Sequence, residues 1–217
     1  RIIGGKAGEM DSFFTMEGGD IVREALKKGR GALILMAHVG NWEMLGLLTA
    51  RHGCPGSVIV KAVRHPGINA FLDRVRNDFG LKTLPARHSY RPCLKALKHN
   101  ELVAFVIDQN RPLGAGIFVD FFGQPASTTP ALAYLSAQSG APVIPVFMTR
   151  LDSNHHIARI LAPIEPPRDR EQETIRNATQ EYTKVVEDAV RRHPDQWIWI
   201  HRRWKTRPPV AEPPASN

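Results

Sequence analysis

The sequence predicts an α/β fold whose sheet is mixed or mostly parallel and flanked by helices. Short apolar runs bounded by turn residues recur at 32–37, 57–63, 102–107 and 143–148, the pattern of strands buried on both faces. Between them lie segments with helical spacing, such as Ile68, Phe71, Leu72, Val75 and Phe79. Glycine and proline punctuate the joins, most plainly at Gly53-Cys54-Pro55-Gly56. Strands alternating with helices point to a parallel sheet.

In chain order, residues 1–18 carry little periodicity and read as a partial N-terminal segment, and a short amphipathic helix follows at 19–28. The first strand, 32–37, ends at His38, and Asn41 is suited to cap the helix that begins beside it. A second strand (57–63), a helix (67–79), a short strand near 81–84 and a helix over 89–98 come next. The strand 102–107 repeats the opening pattern and ends in Asp108-Gln109-Asn110-Arg111-Pro112. Residues 114–123 read as a glycine-rich loop with a short extended piece, followed by a helix at 130–139 and a buried strand at 143–148. A polar strand around 155–161, a long helix from 170 to 192 and a last strand at 197–200 complete one domain over 19–207. The tail 208–217, with prolines at 208, 209, 213 and 214, reads as disordered.

The chain has 217 residues, 42% apolar and 23% charged, as expected of a folded protein. Its length suits one substantial domain. Cys54 and Cys93 form neither a disulfide framework nor a CxxC site. No run approaches the roughly 20 apolar residues of a membrane span, and no signal peptide is visible. The start at Arg1 reads as that of a fragment or processed product. A formal net charge of +8 would suit nucleic acid, an anionic membrane, a phosphorylated lipid or an acidic protein, or simple solubility.

His38 and Glu43 carry the chemistry. On one continuous helix, residues five apart diverge by about 140°, but a turn at Gly40-Asn41 separates this pair and lets the side chains converge. Glu43, near a helix N-terminus, could then fix the tautomer of His38 and leave the other ring nitrogen as a general base; a buried histidine satisfied by a carboxylate is the competing reading. No serine stands in GxSxG, and neither cysteine has a nucleophile context. The opening Arg1-Ile2-Ile3-Gly4-Gly5 is superficially that of an activated trypsin-like protease, yet no GDSGG follows. HExxH is absent, and His155 and His156 on a strand would face opposite sides, so no metal is expected. Direct transfer, with His38 deprotonating an incoming hydroxyl, fits this inventory.

The segment His38-Val39-Gly40-Asn41-Trp42-Glu43 resembles the HxxxxD/E motif of glycerolipid-type acyltransferases. The surrounding stretches are similar to one branch, the bacterial lipid A biosynthesis (late) acyltransferase family. They are Val63-Arg64 with the helix to Arg76, Asp108-Gln109, Val119-Asp120-Phe121-Phe122-Gly123, Thr128-Thr129-Pro130 through Val146, and the closing 194–205. HxxxxE alone is weak; the ordered set, covering nearly everything after residue 20, is specific. The resemblance implies an acyltransferase-type sheet and transfer of a fatty acyl group from acyl carrier protein to a hydroxyl of a lipid A precursor. It further implies work at the cytoplasmic face of the inner membrane, normally with an N-terminal hydrophobic anchor. His38 would be the base and Glu43 its partner, with no cofactor. A relative acting on a glycolipid mannoside or an ornithine-type lipid, and a non-catalytic membrane- or nucleic-acid-binding module, are the alternatives.

Around this pair, Asn41, Arg64, Asp108 and Gln109 are expected at the substrate. Arg64 would bind an anion, lipid phosphate or the donor's phosphopantetheine, or else lie on the surface. Asp108 would support His38 or cap the next loop. Arg76, mid-helix, reads as a surface contact or salt bridge, and Asp120 as an exposed loop aspartate. Backbone amides near Gly40-Asn41 and Arg64 are candidates for an oxyanion hole. The closing segment interleaves Trp197, Trp199 and Trp204 with His201, Arg202, Arg203 and Lys205. That pattern suits nucleic acid, a membrane interface, or a core strand followed by a solvated basic turn. With the resemblance, the basic cluster goes to anionic lipid or the acidic carrier, and no nucleic acid is expected.

Overall fold

The computed structural model describes residues 13–51, 56–61 and 65–209. Its frame is a seven-stranded sheet in the order β1-β9-β8-β2-β5-β3-β4. The strands are β1 (Phe14–Glu17), β2 (Ala32–Met36), β3 (Gly56–Val60), β4 (Lys82–Pro85), β5 (Leu102–Val106), β8 (Val143–Arg150) and β9 (His156–Ile160). Only the β8–β9 pairing is antiparallel; the other neighbours are parallel. Among the described residues, six helices flank the sheet: α1 (Gly19–Lys27), α2 (Trp42–Arg51), α3 (Pro66–Asp78), α4 (Tyr90–Lys98), α5 (Ala131–Ser139) and α6 (Gln172–Arg192).

β2 is central and buried at every residue, which is why it reads as one apolar run. Side chains alternate across a strand, so Leu33 and Leu35 enter one core with Phe105, Leu132, Tyr182 and Val186. Ala32, Ile34 and Met36 enter the other, with Met44, Leu45 and Leu48 of α2. Each fully buried leucine stabilises by about 2 kcal/mol, and β2 is thereby clamped from both faces. Parallel pairing then sets the site: β2 runs beside β5 with Met36 opposite Val106, and Ile107 N–H continues the ladder to Met36 O. The chain positions immediately beyond, 38 and 108, leave the sheet side by side.

Three segments differ from the sequence-based expectation. Residues 14–17 within the aperiodic start form β1, which pairs with β9 in register Phe14 to His156; a short edge strand with one buried residue shows no legible alternation. Residues 117–128 form a hairpin, β6 (Ile117–Phe121) and β7 (Gln124–Thr128). Phe122 and Gly123, at φ 57° and 74°, make its tight turn. The expected strand at 197–200 is absent. Only Trp197 bridges, to Val39, because this segment pairs with the loop beyond β2: Gly40 N–H donates to Gln196 O and Ile198 N–H to His38 O. The terminator near Cys54 and all but the first two residues of the expected tail lie outside the described residues.

Gly40 makes this crossing possible. At φ 58° it occupies the left-handed region, and a Cβ there would stand 2.0 Å from Met148 O. Gly29 shares the sign of φ, at 70°, but faces open space. Gly40→Ala should therefore cost more than the about 1–2 kcal/mol of left-handed strain alone, and clearly more than Gly29→Ala. Urea denaturation of the two variants checks the order; equal midpoints would refute it.

Candidate active site

Asp108 is the hub of the carboxyl edge. Its side chain is 2% exposed, and its two oxygens accept three hydrogen bonds. Oδ1 accepts from His38 Nδ1 at 2.7 Å. Oδ2 accepts from the His38 backbone N–H at 2.9 Å and from Trp197 Nε1 at 2.8 Å. Burial alone pushes such a carboxyl up; the hydrogen bonds from the His38 ring, the Trp197 indole and the His38 amide outweigh it and hold Asp108 below the ordinary carboxylate range. An ionised carboxylate only accepts, so Nδ1 carries the proton and Nε2 presents its lone pair. Trp42 sits edge-on to the imidazole, ring centroids 5.0 Å apart, and Gln109 Nε2 lies 3.2 Å from His38 Nε2.

The carboxylate that orients His38 is therefore Asp108, and the expected pairing with Glu43 is corrected. Glu43 instead accepts from Arg76 Nη2 at 2.8 Å. The Arg76 side chain is 9% exposed and needs a carboxylate, whereas Glu43, 47% exposed, lies in the first turn of α2 within reach of α3. The register of β2 and β5, not the five-residue spacing, decides which acid meets the imidazole. Asn41 caps α2: its Oδ1 accepts from Met44 N–H at 3.2 Å and its carbonyl from Leu45 N–H. The Gly40 and Asn41 amides, expected as oxyanion donors, are already engaged by Gln196 O and Met148 O. Asp120 serves the hairpin turn, accepting from Gly123 N–H. Arg64 lies outside the described residues.

Trp197 is a participant that the aromatic pattern of the closing segment does not reveal. The available signal was chemical, since a buried indole N–H seeks an acceptor. His201 was counted only as a basic residue. Its Nε2 accepts from Asn110 N–H at 2.8 Å, and burial, with the Arg203 charge, outweighs Asp108 and holds it below the usual histidine range. Arg203, 1% exposed, lies over the Phe121 ring and donates to Ser127 O and Thr128 Oγ1. Burial pulls it down to about 10 against the field of Asp108.

A mostly parallel sheet with a histidine–aspartate pair at its carboxyl edge sets polar side chains where open α/β sheets bind their ligands. The solved 1-acyl-sn-glycerophosphate acyltransferase from Thermotoga maritima shares the fold, with a TM-score of 0.50 and 17% identity over 87% of this chain and 75% of that one. The chain belongs to the bacterial lipid A biosynthesis acyltransferase family, whose profile matches residues 4–206. It is 30% identical to the lipid A biosynthesis palmitoleoyltransferase of Escherichia coli K12, across 90% of this chain and 63% of that protein. It is also 30% identical to the lauroyltransferase of the same strain, across 86% of this chain and 60% of that protein. A phosphatidylinositol mannoside acyltransferase of Mycobacterium tuberculosis matches at 30% identity over 58% of this chain and 41% of its own length. The chain thus spans under two thirds of these relatives. Among the described residues, no helix is long and apolar enough to cross a membrane.

The lowered pKa of Asp108 sets the direction of the pH dependence. Its ionised form stabilises the fold fully above the unfolded value of about 3.9, and that contribution is lost as pH falls through the lower folded value. Trp197→Phe removes one donor and raises the folded value, so the contribution shrinks and is lost at a higher pH. Thermal melts between neutral and acid pH should show the variant's deficit greatest at neutral pH and closing on acidification. The Glu43–Arg76 pair should act as a unit. In a stability cycle with Glu43→Gln and Arg76→Met, a coupling of about 0.5–1 kcal/mol is expected, and strict additivity would deny the contact.

Proposed function

We propose that this protein transfers a fatty acyl group from an acyl carrier protein thioester to a hydroxyl of a lipid A precursor, with His38 as general base oriented by Asp108. The observation that carries the reading is the polarity of the imidazole: a buried carboxylate on Nδ1 and a lone pair on Nε2 at the carboxyl edge. The acceptor O–H gives its proton to Nε2 as its oxygen attacks the thioester carbonyl carbon. The tetrahedral oxyanion then collapses, the C–S bond breaks, and the imidazolium returns the proton to the departing sulfur. Asp108 stabilises the imidazolium in between. A thioester is already activated, so no covalent acyl-enzyme is required.

Gln109 belongs in this scheme as a substrate-binding group. Its amide donates where the acceptor hydroxyl must sit, so it yields to substrate and becomes the nearest side-chain donor for the tetrahedral oxygen. Arg64 is retained for an anionic group of donor or acceptor, and Asn41 acts by holding the start of α2. Glu43, paired with Arg76, fixes α2 against α3 beside the base. The place of action is the cytoplasmic face of the inner membrane. The mannoside acyltransferase relative supports a second acceptor class, so the acceptor panel must include a phosphatidylinositol mannoside.

His38→Ala should lower kcat by about 10²–10⁴; because it also strips Asp108 of its Nδ1 donor, it should lower the melting temperature, so turnover is compared well below the variant's melt. Asp108→Asn combined with His38→Ala should be no slower than His38→Ala alone, because the two act as one base. Acyl transfer from carrier-bound and coenzyme A-bound donors, followed by mass spectrometry of the lipid product, is the assay. Unchanged turnover in His38→Ala would overturn the mechanism, and faster transfer from coenzyme A would overturn the donor.

A further inference from the structure

The exposed large apolar side chains are not scattered. Of the seven among the described residues, Ile68, Leu113, Leu151, Trp199 and Ile200 lie on the helix start, loops and turns at the carboxyl edge that holds His38. Four of them project from three adjoining segments: Leu113 from the loop after β5, Leu151 from the β8–β9 turn, and Trp199 and Ile200 from the closing turn. Ile200 is 93% exposed and Leu113 65%, values that internal packing does not explain and that mark a surface meeting something apolar.

These tips are held rigidly. Asn110 N–H donates to His201 Nε2 and its side-chain amide to Thr206, joining the Leu113 loop to the closing segment. Arg150 and Gln196 exchange two hydrogen bonds of 2.8 and 2.9 Å, joining the Leu151 turn to the same segment. Trp199 donates its indole N–H to Pro194 O and packs against Trp197, centroids 4.6 Å apart, while the residue remains 56% exposed. Cations rim the patch: Arg111, Arg150, Arg202 and Lys205 are exposed and have no carboxylate partner among the described residues. Asp152, the acid at the turn, is drawn onto the amides of Asn154 and His155.

We propose that this edge is a bilayer-docking face. Leu113, Leu151, Trp199 and Ile200 enter the boundary between headgroups and acyl chains, and the cationic rim, Arg111 and Arg202 foremost, meets anionic headgroups. An acidic protein would answer the cations but not apolar tips spread over three loops; an anionic lipid interface answers both. The consequence for the proposed reaction, on which this last step rests, is that the acceptor lipid presents its hydroxyl to His38 while its chains stay in the bilayer.

The test is co-sedimentation of the 217-residue chain with vesicles of phosphatidylcholine alone or mixed with phosphatidylglycerol. The triple variant Leu113→Ser, Trp199→Ser, Ile200→Ser should bind mixed vesicles at least about tenfold more weakly, with an unchanged thermal melt. Arg111→Glu with Arg202→Glu should abolish the preference for phosphatidylglycerol. Brominated acyl chains should quench the fluorescence of the parent and quench Trp199→Phe far less. Equal binding by the folded triple variant overturns the proposal, as does light scattering that shows a parent dimer made monomeric by those substitutions. Vesicle binding involves no chemistry. A parent chain that docks yet transfers no acyl group fails the reaction and leaves the face standing, whereas transfer without docking does the reverse.

Discussion

A carboxylate buried without partners is among the costliest things a fold can contain, and Asp108 is tolerated because three donors from two other segments converge on it. Each donor is thereby fixed in turn. The His38 ring and backbone belong to the end of β2 and Trp197 to the closing segment, so one side chain ties three chain segments at the carboxyl edge of the sheet. The same bonds that make Asp108 affordable also make it an anion, and an anion on Nδ1 is what gives Nε2 its basic face. Stability and chemistry share one interaction here.

Around it the edge is layered by distance from the imidazole. Trp42 and Gln109 touch His38 directly. His201 and Arg203 act one step out, holding Asn110 and the β6–β7 hairpin against the closing segment. Arg203 is a fully buried cation whose Nε has no partner among the described residues, which makes its burial unfavourable. Its placement over Phe121, within the field of Asp108, partly compensates. Glu187 on α6 anchors the far side of the hairpin by accepting from Phe122 N–H. The hairpin, peripheral in the topology, is thus mechanically continuous with the site.

The parts of this design that were legible are those written in local pattern. The runs of β2, β5 and β8 are apolar because both faces of the central sheet are covered, and His38 and Asp108 could each be placed at a strand end from that fact alone. Their partnership was not legible. It depends on register, Met36 opposite Val106, and register is a property of two strands seventy residues apart. Glu43, close in sequence, drew the role that belongs to Asp108, because spacing measures proximity along the chain and not across a sheet. Trp197 was hidden for a related reason: the aromatic pattern of the closing segment is that of a core strand, yet its backbone pairs with a loop. β1 escaped notice because one buried residue in four leaves no period to read.

The two acids of this edge illustrate how a short motif can be satisfied in more than one way. In HxxxxE the histidine and the glutamate are set on either side of a helix start, and Asn41 and Gly40 fix that start so firmly that their amides have no capacity left for substrate. The glutamate then spends its charge on Arg76, locking α2 to α3, and the histidine takes its carboxylate from a different strand. What the motif fixes in this chain is therefore the turn, which brings a helix N-terminus, an imidazole and an indole edge to one point. Which acid meets the imidazole is settled by the sheet behind the turn, and that is why such a motif can be read only with the neighbouring strand in view.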